Sequence, residues 1–160
     1  MRGGSNVELT LNLPGGMWQR IRDVRSRVSE AAAHLPAEVR AAAVMVTGEL
    51  VENAVKYGVC VPELDDVVVH LAIGEGAVSV EVSNGVASQG AIDEVAARVR
   101  RIQEADDRES LYVARLEELL RTPGASGGLG LYRIGFEGRF DLSWENVGRV
   151  LTVRATRALP

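Results

Sequence analysis

The chain has 160 residues with 18 basic and 22 acidic side chains, which gives a formal charge of −4 at pH 7. This length fits a single domain with its own core, and the interspersed charge excludes the basic surface typical of nucleic-acid binding. Cys60 is the only cysteine, so no disulfide forms within the chain. Neither a signal-peptide segment nor an apolar run of roughly 18 to 20 residues is present in the sequence. We therefore expect one cytoplasmic domain, residues 1–160, without nucleic acid or membrane as a partner.

The first part of the chain predicts a strand followed by two helices. Apolar and polar residues alternate from Val7 to Leu13, and Pro14-Gly15-Gly16 then breaks the pattern. Apolar residues recur at helical spacing from Met17 to Leu35 and again from about Ala37 to Tyr57. Gly58 is expected to end the second helix, because glycine readily takes the left-handed conformation found at helix ends.

A hairpin and a helical insertion follow. The β-rich segments Val67–Ile73 and Ala77–Val82 are separated by a short glycine-containing loop. Helical spacing returns in Ile92–Ile102 and Leu111–Leu120, with a start signal for the second helix at Asp106 and Glu109. We expect these two helices, at about 89–121, to form an insertion whose outer face is heavily charged.

The last part of the chain predicts a glycine-rich loop, a short helix and a final hairpin. The loop is Thr122–Gly130 and the helix Leu131–Glu137. The strands of the hairpin are Phe140–Trp144 and Val150–Ala155. The complete order is therefore β-α-α-β-β, a helical insertion, a glycine loop, and α-β-β.

The second helix carries the residues best suited to chemistry. At about 100° per residue, Glu49, Asn53 and Lys56 share one polar stripe, opposite a packed apolar face. An amide oxygen such as that of Asn53 suits magnesium, which takes its other ligands from water and phosphates. Glu49 could orient or deprotonate a nucleophile beside a terminal phosphate, and Lys56 could neutralise phosphate charge. Each charge alone is more typical of a solvated helix face.

The glycine-rich loop favours the ligand-binding interpretation of that stripe. The small residues of Gly124–Gly130 precede a helix, so free backbone N–H groups would lie at a helix N-terminus, where phosphate is favoured. A glycine loop alone is weak evidence, because flexible linkers have the same composition. Its position after the polar helix makes the combination informative.

These two motifs resemble a known superfamily. The segment Glu49-x-x-x-Asn53-Ala54-x-Lys56-Tyr57-Gly58 resembles the N box of the GHKL (Bergerat-type) ATP-binding domains, and Gly128-Leu129-Gly130-Leu131 resembles their second glycine box. The resemblance implies an α+β fold: a two-layer sandwich in which a mixed, mostly antiparallel sheet is covered on one face by helices, with a lid-like helical insertion. It also implies ATP and Mg²⁺ as cofactors.

The same resemblance assigns roles to individual residues. Asn53 would hold magnesium and Glu49 would be the catalytic base, while Lys56 is placed near the phosphates by its position in the polar stripe alone. The glycine segment Gly127, Gly128, Leu129 and Gly130 would contact the phosphates beneath a mobile lid.

The first glycine box departs from the family pattern. The family has an aspartate that accepts a hydrogen bond from the adenine amino group, and this chain has Ser83-Asn84-Gly85 at that place. Loss of a charged acceptor costs about 1.5–3 kcal/mol, or roughly ten- to hundredfold in affinity. Ser83 or Asn84 could still accept through oxygen. The pocket would then bind ATP weakly, prefer another base or stay empty.

The chain is most similar in pattern to stand-alone anti-sigma-factor serine kinases and SiaB-like kinases. This implies a serine/threonine protein kinase of a partner-switching system, with a STAS-like regulator or sigma factor as partner. The alternative is a non-catalytic module that sequesters a regulatory protein with weak or no ATP binding. Simple ATP hydrolysis that drives a conformational cycle is a third hypothesis. Trp18, Ile21 and the first strand are candidates for a homodimer surface.

Overall fold

Five strands and five helices make up the part of the chain that the computed structural model describes, residues 6–14, 20–124 and 129–160. Their order matches the predicted one. The elements are β1 (Val7–Pro14), α1 (Arg20–Ala31), α2 (Ala37–Tyr57), β2 (Asp66–Ile73), β3 (Ala77–Gly85), α3 (Gln89–Glu104), α4 (Arg108–Arg121), α5 (Leu129–Phe136), β4 (Asp141–Val147) and β5 (Val150–Ala158).

The strands form one sheet in the order β1-β2-β3-β5-β4, and all four pairings between these described strands are antiparallel. Every second residue of β2 is buried, namely Val67, Val69, Leu71 and Ile73. Their neighbours along the strand are only partly buried, because successive side chains point to opposite faces. The helices therefore cover one face of the sheet, which confirms the predicted two-layer α+β architecture.

Helix α2 is the centre of the helical layer. It packs on β2 and β3 and is flanked by α1 and α5. Its apolar spacing places Ala43, Val46 and Val51 in full burial, at 0% exposure. Val28 of α1 and Leu71 of β2 are equally buried in the same core cluster. The face of α2 towards the sheet is thus fixed by the packing of the core.

The end of α2 differs from the prediction in conformation but not in position. Gly58 follows the last helical residue, Tyr57, but has φ −73° and ψ 152°, which is extended rather than left-handed. A Cβ at Gly58 would collide with the carbonyl oxygen of Ala54 and crowd the side chain of Asn84. Glycine is required here by the close approach of neighbouring atoms.

The helical insertion consists of two helices with different packing. Helix α3 buries Ile92, Val99 and Ile102 and packs against β4 and α5. Helix α4, every residue of which is described, buries none. Its N-cap is Asp107 rather than the predicted Asp106, and hydrogen bonds from Ser110 lower the pKa of the Asp107 carboxyl below its ordinary value.

Helix α5 begins at Leu129, two residues before the predicted start, so Leu129 and Gly130 belong to a helix rather than a loop.

Of the residues suggested for a homodimer surface, Trp18 lies outside the described residues, and Ile21 is buried in the core. None of the helices in the described ranges has the length and apolarity that crossing a bilayer requires.

Candidate nucleotide site

A cavity of about 270 Å³ lies between α2, α3, α5 and the helix-covered face of the sheet. Its volume is close to the lower end of the range for small-molecule sites, about 300–1,000 Å³. Part of its apolar lining is contributed by Leu50, Ala54, Val82, Val95, Leu151 and Val153. The polar side chains that line it in the described chain are Asn53, Asn84, Glu94 and Arg98, with the ring of Tyr57 beside them. An apolar pocket with a few convergent polar groups is the usual form of a ligand site.

Two asparagines reach this cavity from different elements. Asn53 projects from α2 one turn before its end, and its side chain forms no hydrogen bond with any other described residue. Asn84 lies near the end of β3 and is 8% exposed. Its Nδ2 donates to the carbonyl oxygen of Gly85 at 2.9 Å. The structure therefore brings Asn53 of α2 and Asn84 of β3 to the same cavity.

Ser83 does not reach the cavity. Its hydroxyl lies 2.6 Å from the hydroxyl of Thr152, its partner in the β3–β5 register, on the face of the sheet away from the helices. Adjacent residues of a strand point to opposite faces, so only one of Ser83 and Asn84 can face the cavity. Val80 and Val82 are buried on the helix-covered face, and Asn84, two residues after Val82, points to the same face. This alternation is already visible in the sequence.

Glu49 lies one turn before Asn53, next to the start of α5. Its carboxylate accepts a hydrogen bond from Nη1 of Arg133 at 3.0 Å, and its side chain is only 18% exposed. A Cβ at Gly130 would collide with the same carboxylate. Arg133 also donates to Glu137 at 2.6 Å. The carboxylates of Glu137 and Glu49, in that order, raise the pKa of Arg133, against the opposing effect of burial.

Lys56 does not line the cavity. It is the only lysine in the sequence, and its side chain is exposed at the last turn of α2. Its ammonium nitrogen lies 5.1 Å from the ring centroid of Tyr57, a distance typical of a cation–π contact. Of the three residues of the helical stripe, Asn53 lines the cavity, Glu49 lies one turn before it, and Lys56 is not among the lining residues.

The residues of the two glycine segments that were predicted to contact the nucleotide do not all lie at the cavity among the described residues. Gly127 and Gly128 lie outside the described residues. Leu129 and Gly130 form the start of α5, where Gly130 faces Glu49. Gly85 borders a second cavity of about 230 Å³ on the other side of Asn84. A Cβ at Gly85 would collide with the carbonyl oxygen of Val59, so this glycine has a packing role.

Among the polar and aromatic residues that line the cavity, Tyr57, Glu94 and Arg98 were not predicted as site residues. Tyr57 is 48% exposed and lies within the segment Glu49–Gly58 that resembles an N box. Glu94 and Arg98 were predicted only as part of a charged outer face of the insertion. Their place in the cavity could have been predicted from their position at the edge of the apolar stripe of α3, which runs through Ile92, Val95 and Val99.

The residues present are compatible with a magnesium ion carried by a phosphate chain. The described residues contain no group of three or more His, Cys, Asp or Glu side chains that could hold a metal by themselves. Magnesium bound through phosphates takes only one or two protein ligands and keeps several waters. The amide oxygen of Asn53, which has no partner among the described residues, meets that requirement.

Comparison with known proteins gives no independent identification. A scan of the chain against models of protein families finds no match, and a search of curated proteins finds no similar sequence.

Proposed function

We propose that this chain is an ATP-binding regulatory protein that acts as a magnesium-dependent serine/threonine protein kinase in a partner-switching system. The observation that carries the proposal is the cavity itself. Asn53, Asn84 and Tyr57 converge on a mainly apolar space between α2 and the sheet, and Glu49 lies one helical turn away. A flat aromatic base fits an apolar pocket, and polar groups at its margin fit a sugar and phosphates.

In this proposal each residue of α2 has a distinct task. Asn53 would hold the magnesium ion of the nucleotide, and the ion would stabilise negative charge on the phosphates. Tyr57 would contact the base, because aromatic faces stack well on flat rings. Glu49 would accept the proton of the substrate hydroxyl, which requires that its ion pair with Arg133 be loosened when substrate binds. The acceptor would be a serine or threonine of a STAS-like regulator or sigma factor.

The proposal is tested by calorimetric titration with ATP in the presence of Mg²⁺, followed by transfer of labelled phosphate to the partner protein. We expect Asn53→Ala to weaken magnesium-dependent ATP binding by about ten- to hundredfold and to abolish transfer, because it removes an oxygen ligand of a charged group. Asn12→Ala is the matched control, since Asn12 is an exposed asparagine of β1 outside the cavity. Failure of the wild-type protein to bind ATP at millimolar concentration would end the proposal.

A second function is favoured by the ion pair between Glu49 and Arg133. The Glu49 carboxylate is engaged by Arg133 and shielded from solvent, an arrangement that suits a structural ion pair as well as a base. The chain would then be a non-catalytic module that sequesters a regulatory protein. Partner binding that is unchanged both by ATP and by Asn53→Ala, with no phosphate transfer, would favour this function over the kinase.

A further inference from the structure

Helix α3 contributes a cation to the cavity that the sequence motifs do not contain. Ala91, Glu94, Val95 and Arg98 all line it, and Arg98 is the one positively charged side chain among its described lining residues. Arg98 is partly buried and forms no hydrogen bond or ion pair with any other described residue. A guanidinium group in a mainly apolar cavity has lost part of its hydration without gaining a partner among the residues that the structure describes.

The usual partner of a helical arginine is available but is not used. Arg100 pairs with Glu104 and Arg121 with Glu117, each four residues apart along its helix. Arg98 has Glu94 at the corresponding distance, yet no ion pair joins them although both side chains line the cavity. The guanidinium is therefore available to a ligand.

We propose that Arg98 binds the phosphate groups of the nucleotide and so fills the role that the sequence assigned to Lys56. This inference rests on the proposed function, because it concerns the same cavity and takes a nucleoside di- or triphosphate as ligand. A guanidinium presents several N–H donors in a planar fork and matches two phosphate oxygens at once. Lys56, by contrast, is exposed and contacts the ring of Tyr57, and Lys56 itself does not line the cavity.

The neighbouring charge limits how the ligand can lie. The carboxylate of Glu94 shares this wall of the cavity, one turn nearer the start of α3 than Arg98. Because Glu94 repels anions, the phosphates must approach the Arg98 end of the helix, and the uncharged part of the ligand must lie beside Glu94. Arg98 would thereby set the orientation of the ligand as well as its affinity.

The experiment compares ligands that differ only in their phosphates. Adenosine, ADP and ATP are titrated calorimetrically, with Mg²⁺, into the wild-type protein and into Arg98→Ala, Arg98→Lys, Arg101→Ala and Lys56→Ala. Arg101 is the matched control, because it lies on the same helix, is exposed, and its removal changes the net charge equally. Alanine preserves the helix in each case.

We expect Arg98→Ala to weaken ATP and ADP binding by about ten- to hundredfold and to leave adenosine binding unchanged. Arg98→Lys should recover part of the loss, whereas Arg101→Ala and Lys56→Ala should stay within about twofold of wild type. Equal ATP affinity of wild type and Arg98→Ala overturns the inference and leaves the proposed function standing. A wild-type protein that binds neither adenosine nor ATP removes the proposed function, and the inference with it.

Discussion

Helices α2 and α4 both carry apolar residues at helical spacing, but they have opposite roles in the packing. Helix α2 buries nine of its 21 residues, whereas α4 buries none of its 14. On α4, Val113, Leu116 and Leu120 lie within one stripe and remain exposed, Leu120 by 80%. A periodic apolar pattern therefore predicts the helix in both cases but does not predict whether the stripe is covered.

The attachments of α4 are mainly polar and lie near its start. Arg108 donates to the carbonyl oxygens of Gly135 and Phe140 and pairs with Asp141. The ring of Tyr112 contacts that of Phe136 at 5.5 Å between centroids. Only Leu111 and Tyr112 of α4 pack against the core, and neither is fully buried, whereas α2 supplies much of the core itself. The wall of the candidate site that α2 forms is thus held by the core, whereas α4 is held mainly by contacts near its start.

The largest expected effect comes from truncation of matched leucines on the two helices. Leu50→Ala on α2 should destabilise the protein by about 2–5 kcal/mol, because Leu50 is 3% exposed and its removal leaves a void. Leu120→Ala on α4 should change the free energy of unfolding by less than about 0.5 kcal/mol. Urea denaturation monitored by circular dichroism measures both. Similar losses for the two variants would contradict the difference in packing.

A smaller effect tests how α2 is fixed to α5. Gly130→Ala should destabilise by about 1–3 kcal/mol, since the new methyl group would displace the Glu49 carboxylate from Arg133. Gly90→Ala, in the first turn of α3, meets only Ser88 Oγ at 3.7 Å and should instead stabilise by about 0.4–1 kcal/mol.

The double variant Gly130→Ala/Glu49→Ala sharpens this test. If the clash with the carboxylate is the cause, the penalty for Gly130→Ala should largely disappear once Glu49 is shortened. Additive losses in thermal and urea unfolding would show that another contact is responsible.

The smallest effect concerns the start of α2 and depends on pH. Arg157 donates to Glu38 at 2.8 Å and holds the pKa of Glu38 below its ordinary value of 4.5. Because the folded-state pKa is the lower one, this contact stabilises the protein above about pH 4.5, and the contribution is lost as the pH falls through the folded-state pKa.

We therefore expect Glu38→Gln to be less stable than wild type near neutral pH and nearly equal to it in acid. Glu117→Gln on α4 is the matched control, because Glu117 belongs to an exposed pair with an N–O distance of 3.8 Å. Unfolding midpoints at several pH values measure the difference. A Glu38→Gln effect that grows as the pH falls would refute the assignment.

Most of the fold could be predicted from the sequence because its elements carry long, regular patterns. The bounds of α2, Ala37–Tyr57, agree with the prediction, since 21 residues give several turns of consistent spacing. The position of Asn84 in the cavity could also have been predicted from the alternation of β3, which the choice between Ser83 and Asn84 did not use. Local periodicity is sufficient for both.

The predictions that differ from the structure concern residues whose surroundings are formed by segments far apart in the sequence. The stripe rule gives the direction in which Lys56 leaves the helix but not the point at which the cavity ends. Arg98 becomes a cavity residue only because α3 packs across β4 and α5, a contact between parts of the chain that no local pattern encodes. The lack of room for a side chain at Gly58 likewise arises partly from Asn84, which lies on a distant strand.

The hydrogen bond from Asn84 to Gly85 explains why an amide suits this position better than a carboxylate. An aspartate would turn an acceptor oxygen towards the Gly85 carbonyl, where Asn84 now directs its Nδ2. Two acceptors would then face each other at a residue that is only 8% exposed. The backbone around Val59, whose N–H donates to the same carbonyl, would have to shift. Replacement of Asn84 by aspartate alone would therefore introduce local strain, and the Val59 segment would have to change with it.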